Sequence, residues 1–192
     1  MENKAVRYFL IGQTGLLLSI LICIILMPQS LFANDGISYF SAHKVTILPY
    51  SAGLLLTAWF SFKVAQSLPD NSYKVVKAGF RTFSIMLLTV VAVPYGINFT
   101  FEYIHTLLSA ALFLVQFMMM WWLAFKVKWD GISLRLLLLL AVEIIGTVMY
   151  LGPQKGYLLE GEVAFQLTFA FAAYRSIKHI VGHPKKRNLS SI

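Results

Sequence analysis

Glu143 stands near the middle of an apolar run, Leu140-Ala141-Val142-Glu143-Ile144-Ile145-Gly146. A carboxyl at mid-membrane costs about 2.5 kcal/mol or more on insertion scales, so it must face other helices, be protonated or find a partner. Gln116, Thr57 and Thr89 fall at similar depth in other apolar runs, and no Lys or Arg does. Gln116 is the first-choice partner, because an amide both donates to and accepts from a carboxylic acid. Two readings stay open. Glu143 either relays protons or cations, or contacts a polar ligand; or it is a protonated side chain that ties one helix to another.

A second group of candidates collects on the other polar segments. Asp35, His43, Glu102, His105 and Glu162 fall at one set of chain boundaries, as an outward-facing polar vestibule would require. Glu102 and His105 are three apart at the start of an apolar run, so a helix puts them on one face. A Glu-x-x-His pair belongs to carboxylate di-metal sites in bundles, but such a site needs a second pair and further Glu residues inside the bundle. Neither is present, so no metal and no other cofactor is expected. Glu102 instead suits a helix N-terminus, and His105 a contact with a neighbouring element. Glu160 and Glu162 are two apart, so a helix turns them to nearly opposite faces and at most one points inward. There is no Gly-x-Ser-x-Gly nucleophile turn and no phosphate-binding or dinucleotide-binding glycine motif. Catalysis is therefore not expected.

The elements that would position these residues follow from composition. Of the 192 residues, 58% are hydrophobic and only 12% are charged, with a mean hydropathy of +0.73. A soluble domain carries about a quarter charged residues, and a disordered chain lacks this apolar content. Six apolar runs occupy residues 8–27, 47–66, 79–97, 101–127, 133–151 and 157–177. Each is close to the ~20 residues a membrane helix needs. Pro28, Pro69-Asp70-Asn71, Pro94, Gly96, Asp130-Gly131 and Gly152-Pro153 punctuate them. The first run is longer than a signal-peptide core of ~7–15 residues, which predicts an uncleaved span. The fold expected is all-α: a single six-helix membrane bundle over residues 1–192, with a basic tail at 178–192.

Charge predicts orientation. With the N-terminus inside, the inner segments hold Lys4, Arg7, Lys63, Lys74, Lys77, Arg81, Lys126, Lys128, Arg135, Arg175, Lys178, Lys185, Lys186 and Arg187, which is 14 of the 16 basic residues. Only Lys44 and Lys155 fall outside. The asymmetry predicts both termini in the cytoplasm of a plasma-membrane protein. The net charge of +8 then reports orientation and not nucleic-acid binding. The lone Cys23 permits no intrachain disulfide.

Two resemblances add to this reading. His179 and His183 form a His-x-x-x-His spacing that resembles membrane metal hydrolases such as alkaline ceramidases. Such a site needs a third histidine at the same depth, and His43 and His105 fall at the other boundary. The tail His183-Pro184-Lys185-Lys186-Arg187 reads instead as a basic segment touching anionic lipid. The whole layout resembles the DRAM-like family (damage-regulated autophagy modulators and their Frag/Sfk relatives), or a prokaryotic family of similar plan. The residues that carry it are Asn34-Asp35-Gly36-Ile37-Ser38-Tyr39 with Pro49, then Ile104-His105 leading to Ala110-Ala111-Leu112-Phe113, and Glu162 at the last run. Val163 stands where that family commonly has Trp. The resemblance implies a non-enzymatic six-span protein acting on lipid organisation and membrane trafficking. The function expected is thus binding, through the vestibule, of membrane lipid or of a membrane partner, whether another protein or a second copy of this chain. A proton-coupled permease using Glu143 is the first alternative, and a membrane metal hydrolase the second.

Overall fold

The computed structural model describes residues 4–31, 36–68, 73–127 and 158–182, with the backbone alone for 124–127. It contains α1 (Lys4–Leu26), α2 (Ile47–Ser67), α3 (Lys74–Ala92), α4 (Phe99–Val127) and α5 (Leu158–Gly182). Two short 3-10 helices, Pro28–Leu31 and Ile37–Ala42, lie between α1 and α2. No strand occurs among the described residues. Asp35, Glu143, His183 and the apolar run at 133–151 lie outside them.

Four helices, α1 to α4, are long and apolar enough to cross a membrane. Their outer surfaces agree: Ile25 is 68% exposed, Leu48 78% and Met118 61%. Side chains of this kind over whole helix faces suit hydrocarbon and not water. The inward faces are marked by small and polar residues: Gly12, Gln13 and Ser19 in α1, Gly53, Thr57 and Ser61 in α2, Ser84 in α3. This inversion is expected where lipid is as apolar as leucine and helices associate through close packing and hydrogen bonds.

The α1–α2 pair shows how that works. A Cβ on Gly53 would collide with the Ser19 hydroxyl, and one on Gly12 would lie 3.1 Å from Phe60 Cβ. The backbones can therefore approach closely. Thr57 Oγ1 sits 2.7 Å from the Gly53 carbonyl and 3.1 Å from the Gly12 carbonyl of α1, which share its proton. Ser84 of α3 likewise donates to the Ala58 carbonyl of α2 at 2.7 Å. Aromatic side chains fill the centre. Phe9 meets Phe80 and Phe169 edge-on at 6.0 and 6.4 Å, and Phe83 meets Phe169 at 5.7 Å.

Contacts along the helices fix their directions. Gly12 pairs with Thr57 and Cys23 with the Thr46 carbonyl, so α1 and α2 are antiparallel. Val93 meets His105, and Gly79 meets Met119, so α3 and α4 are antiparallel as well. In α5, Glu162 meets Ile37 while Phe169 reaches Phe9 near the start of α1. Hence α4 and α5 run in the same direction. Lys4 and Gly182 lie at one end of the bundle, and Glu162, His105 and Lys44 at the other.

The α3–α4 connection is tight. Pro94 interrupts the backbone hydrogen bonding, and Gly96 takes φ +85°, a left-handed conformation that costs glycine no steric strain. Asn98 then caps α4, its Oδ1 accepting from the Phe101 N–H at 3.0 Å.

A polar-edged cavity and a buried amide chain

Glu162, in the second turn of α5, points back across the bundle to the 3-10 helix Ile37–Ala42. The Ile37 N–H donates to Glu162 Oε2 at 2.5 Å. Gly36 makes this possible, because a Cβ there would lie 2.5 Å from the same oxygen. Ser41 holds the segment on itself and on the α3–α4 turn: its hydroxyl donates to the Ser38 carbonyl at 2.8 Å and accepts from the Tyr95 N–H at 2.9 Å. Thr46 closes the far side by donating to the Phe40 carbonyl at 2.8 Å.

Beneath this segment lies a cavity of about 50 Å³. Its polar edge consists of Glu162, Tyr50, Ser38, Ser109, Gln116 and Gln166. The Ser38 and Ser109 hydroxyls are 3.4 Å apart, and Tyr50 lines the same edge. The rest of the wall is aliphatic and aromatic, with Leu16, Leu54, Leu87 and Leu112 prominent. Apolar walls with a few convergent polar groups are the usual make-up of a ligand pocket.

Below Glu162 the polar edge continues inward. Gln166, one helical turn on, donates from Nε2 to Gln13 Oε1 at 2.7 Å. Gln116 Nε2 in turn donates to Gln166 Oε1 at 3.1 Å. All three are buried, at 4%, 6% and 1% exposure for Gln13, Gln166 and Gln116. One amide chain therefore joins α1, α4 and α5. It satisfies groups that hydrocarbon would otherwise leave unpaired.

The residues singled out from sequence are thus divided. Glu162 and Gln116 line the cavity together. Gln116 bonds to Gln166, while its expected partner Glu143 lies outside the described residues, as does Asp35. Thr57 ties α1 to α2, and Thr89 donates to its own helix at Met86, 2.7 Å away. His105 is fully buried but stands apart from the cavity lining. Its Nδ1 lies 2.5 Å from the Val93 carbonyl. A carbonyl only accepts, so Nδ1 carries the proton and Nε2 is left as an acceptor without a partner among the described residues. Tyr95 packs edge-on against the ring at 5.8 Å. Glu102 sits in the first turn of α4, where its charge suits the helix dipole. His43 is half-buried, edge-on to Tyr39 at 4.3 Å. No group of three His, Cys, Asp or Glu able to hold a metal occurs among the described residues.

Ser38, Tyr50, Ser109, Gln13 and Gln166 were not singled out from sequence. For the two glutamines the signal was present: an amide inside a long apolar run needs a partner for the same reason Glu143 does. Tyr50 carries only the signature of an interfacial aromatic, which its 3% exposure overrides.

Among the described residues the protein is all-helical, with four helices long and apolar enough to span a membrane. No family model matches the chain, and neither the curated proteins nor the solved structures contain a match to it.

Proposed function

We propose that this chain is a non-catalytic, six-span membrane protein that holds a membrane lipid in the cavity beside Glu162. The observation that carries the reading is the cavity itself: leucine walls from α1, α2, α3 and α4, closed at one edge by Glu162, Tyr50 and Ser109. A space of about 50 Å³ admits the end of a head group or chain, and not the helix of a partner protein. Lipid is therefore favoured over a protein partner as occupant.

The parallel course of α4 and α5 supports the six-span part. α4 ends and α5 begins at opposite ends of the bundle, as a further crossing between them would require. The apolar run at 133–151 supplies the length. Lys4, Arg7, Lys63, Lys74, Arg81, Arg175 and Lys178 share the end to which both α1 and α5 belong. By the positive-inside rule that end faces the cytoplasm, with Glu162 on the outer side and the plasma membrane as the host. Kinship with the DRAM-like family is part of the same proposal and rests on the short motifs around Ile37, His105 and Glu162.

The test is native mass spectrometry of protein extracted in mild detergent. A retained lipid that Leu54→Trp and Leu112→Trp both displace, with helicity unchanged, supports the reading. Lipid retention indifferent to both substitutions would sink it.

A further inference from the structure

We infer that the cavity beside Glu162 receives an alkylammonium group, with the nitrogen at the carboxylate edge and the carbon chain among the leucines. The inference rests on the lipid-binding reading above and names the head-group chemistry. Glu162 Oε2 already accepts from the Ile37 N–H. The carboxylate nevertheless lines a cavity that contains no Lys, Arg or His among its described lining residues. Burial disfavours an unpaired carboxylate; a cation brought alongside restores its charged form, whereas phosphate or carboxylate would add repulsion.

The shape of the lining narrows the cation further. Leu16, Leu54, Leu87 and Leu112 offer no oxygen to a metal ion, and a hard cation requires oxygen ligands on all sides. An alkylammonium ion has the matching asymmetry. Its N–H groups have acceptors in Glu162, Tyr50 and Ser109, and its methylenes have the leucines. A quaternary ammonium lacks the N–H groups and would leave those oxygens unpaired. The volume of about 50 Å³ exceeds the roughly 10–15 Å³ needed by one water, so it suits a head of a few heavy atoms. The same chemistry is offered by an ethanolamine lipid head group and by a free primary amine.

The experiment uses the full chain in phosphatidylcholine nanodiscs and reads thermal stability against ethylammonium chloride. Saturable stabilisation is expected, weaker by about tenfold in midpoint concentration for ethanol and for tetramethylammonium, since charge-assisted hydrogen bonds are roughly twice as strong as neutral ones. Glu162→Gln keeps an acceptor for Ile37 and should shift the midpoint by about tenfold or more. Glu102→Gln, at the same end but off the cavity, should not. If Glu162→Gln fails to fold, Leu112→Phe, which fills the cavity, should abolish the stabilisation instead. A parallel arm measures lipid retention from mixed phosphatidylethanolamine, phosphatidylcholine and phosphatidylglycerol nanodiscs. Selective retention of phosphatidylethanolamine, lost with Glu162→Gln, assigns the ammonium to a lipid. A response to ethylammonium without such retention assigns it to a soluble amine. Equal response to ethanol, or a response unchanged in both variants, overturns the inference. So does selective retention of phosphatidylglycerol or phosphatidylcholine, which leaves the lipid-binding reading standing. Loss of all lipid and amine binding overturns both.

Discussion

Gln166 donates to Gln13 at 2.7 Å across 153 positions of sequence, and the same Gln166 accepts from Gln116. The middle amide thus works in both directions, and its loss strands an acceptor on α1 and a donor on α4.

That asymmetry gives a first prediction. Gln166→Leu should destabilise the protein by about 1 to 3 kcal/mol, because two buried polar groups lose partners. Replacing all three glutamines by leucine should cost less than that single change, since no unpaired group is left. Denaturant titration in mixed micelles, followed by circular dichroism, checks this. Additive losses across the three positions would show that the chain of amides is not one unit.

The amide chain also marks how far the sequence can be read. Gln116 was legible as a polar group needing a partner within an apolar run, because depth along a helix follows from counting residues. Which helix it faces does not follow, because rotation about the helix axis is set by contacts such as Gly53 on Ser19 and Phe9 on Phe169. In soluble proteins an apolar stripe reveals that rotation; in α1 and α4 large apolar side chains face outward as well as inward. The segment at 37–42 falls between the apolar runs at 8–27 and 47–66. Its 3-10 turn is held by Ser41, Thr46 and Glu162, contacts that span up to 125 positions, and no local pattern announces them. That Tyr50 and Ser109 would line one cavity beneath it was equally invisible.

The α1–α2 contact gives a second prediction. Gly53→Val should push the two helices apart and cost about 1 to 3 kcal/mol, the usual cost of overpacking. Ser19→Gly removes the hydroxyl that a new Cβ would strike. Ser19→Gly should therefore restore part of the stability lost by Gly53→Ala, a coupling that a double-mutant cycle would read. Independent effects at the two positions would contradict the close approach.

His105 gives a third. Its Nδ1–H holds the Val93 carbonyl at the end of α3, so His105→Phe should cost about 1 kcal/mol by leaving that carbonyl without its donor. His105→Asn keeps a donor and should lose less. Zinc should leave the melting temperature of the parent protein unchanged, because Glu102 and His105 serve the helix ends. A zinc-dependent rise in melting temperature that His105→Phe abolishes would instead establish a metal site.

The course of α4 and α5 gives the last prediction. Both helices start at the end that carries Glu162 and His105, and on the six-span proposal the residues between them cross the bundle once more. The six-span proposal adds this crossing to α1, α2, α3, α4 and α5 and requires Lys4 and Lys178 to face the same side. Cysteines placed one at a time at Lys44 and Lys178, in a background with Cys23→Ser, should then react with a membrane-impermeant maleimide from opposite sides. Lys44→Cys should label in intact cells, and Lys178→Cys only after permeabilisation. Lys4→Cys should behave like Lys178→Cys, since the starts and ends of α1 and α5 are antiparallel. Asp130→Cys and Lys155→Cys make the decisive pair, because they flank the run at 133–151. If that run crosses, Lys155→Cys labels from outside and Asp130→Cys does not. Labelling of both from one side would reduce the count by one, and the parallel placement of α4 and α5 could not then be reconciled with a bundle that spans the bilayer.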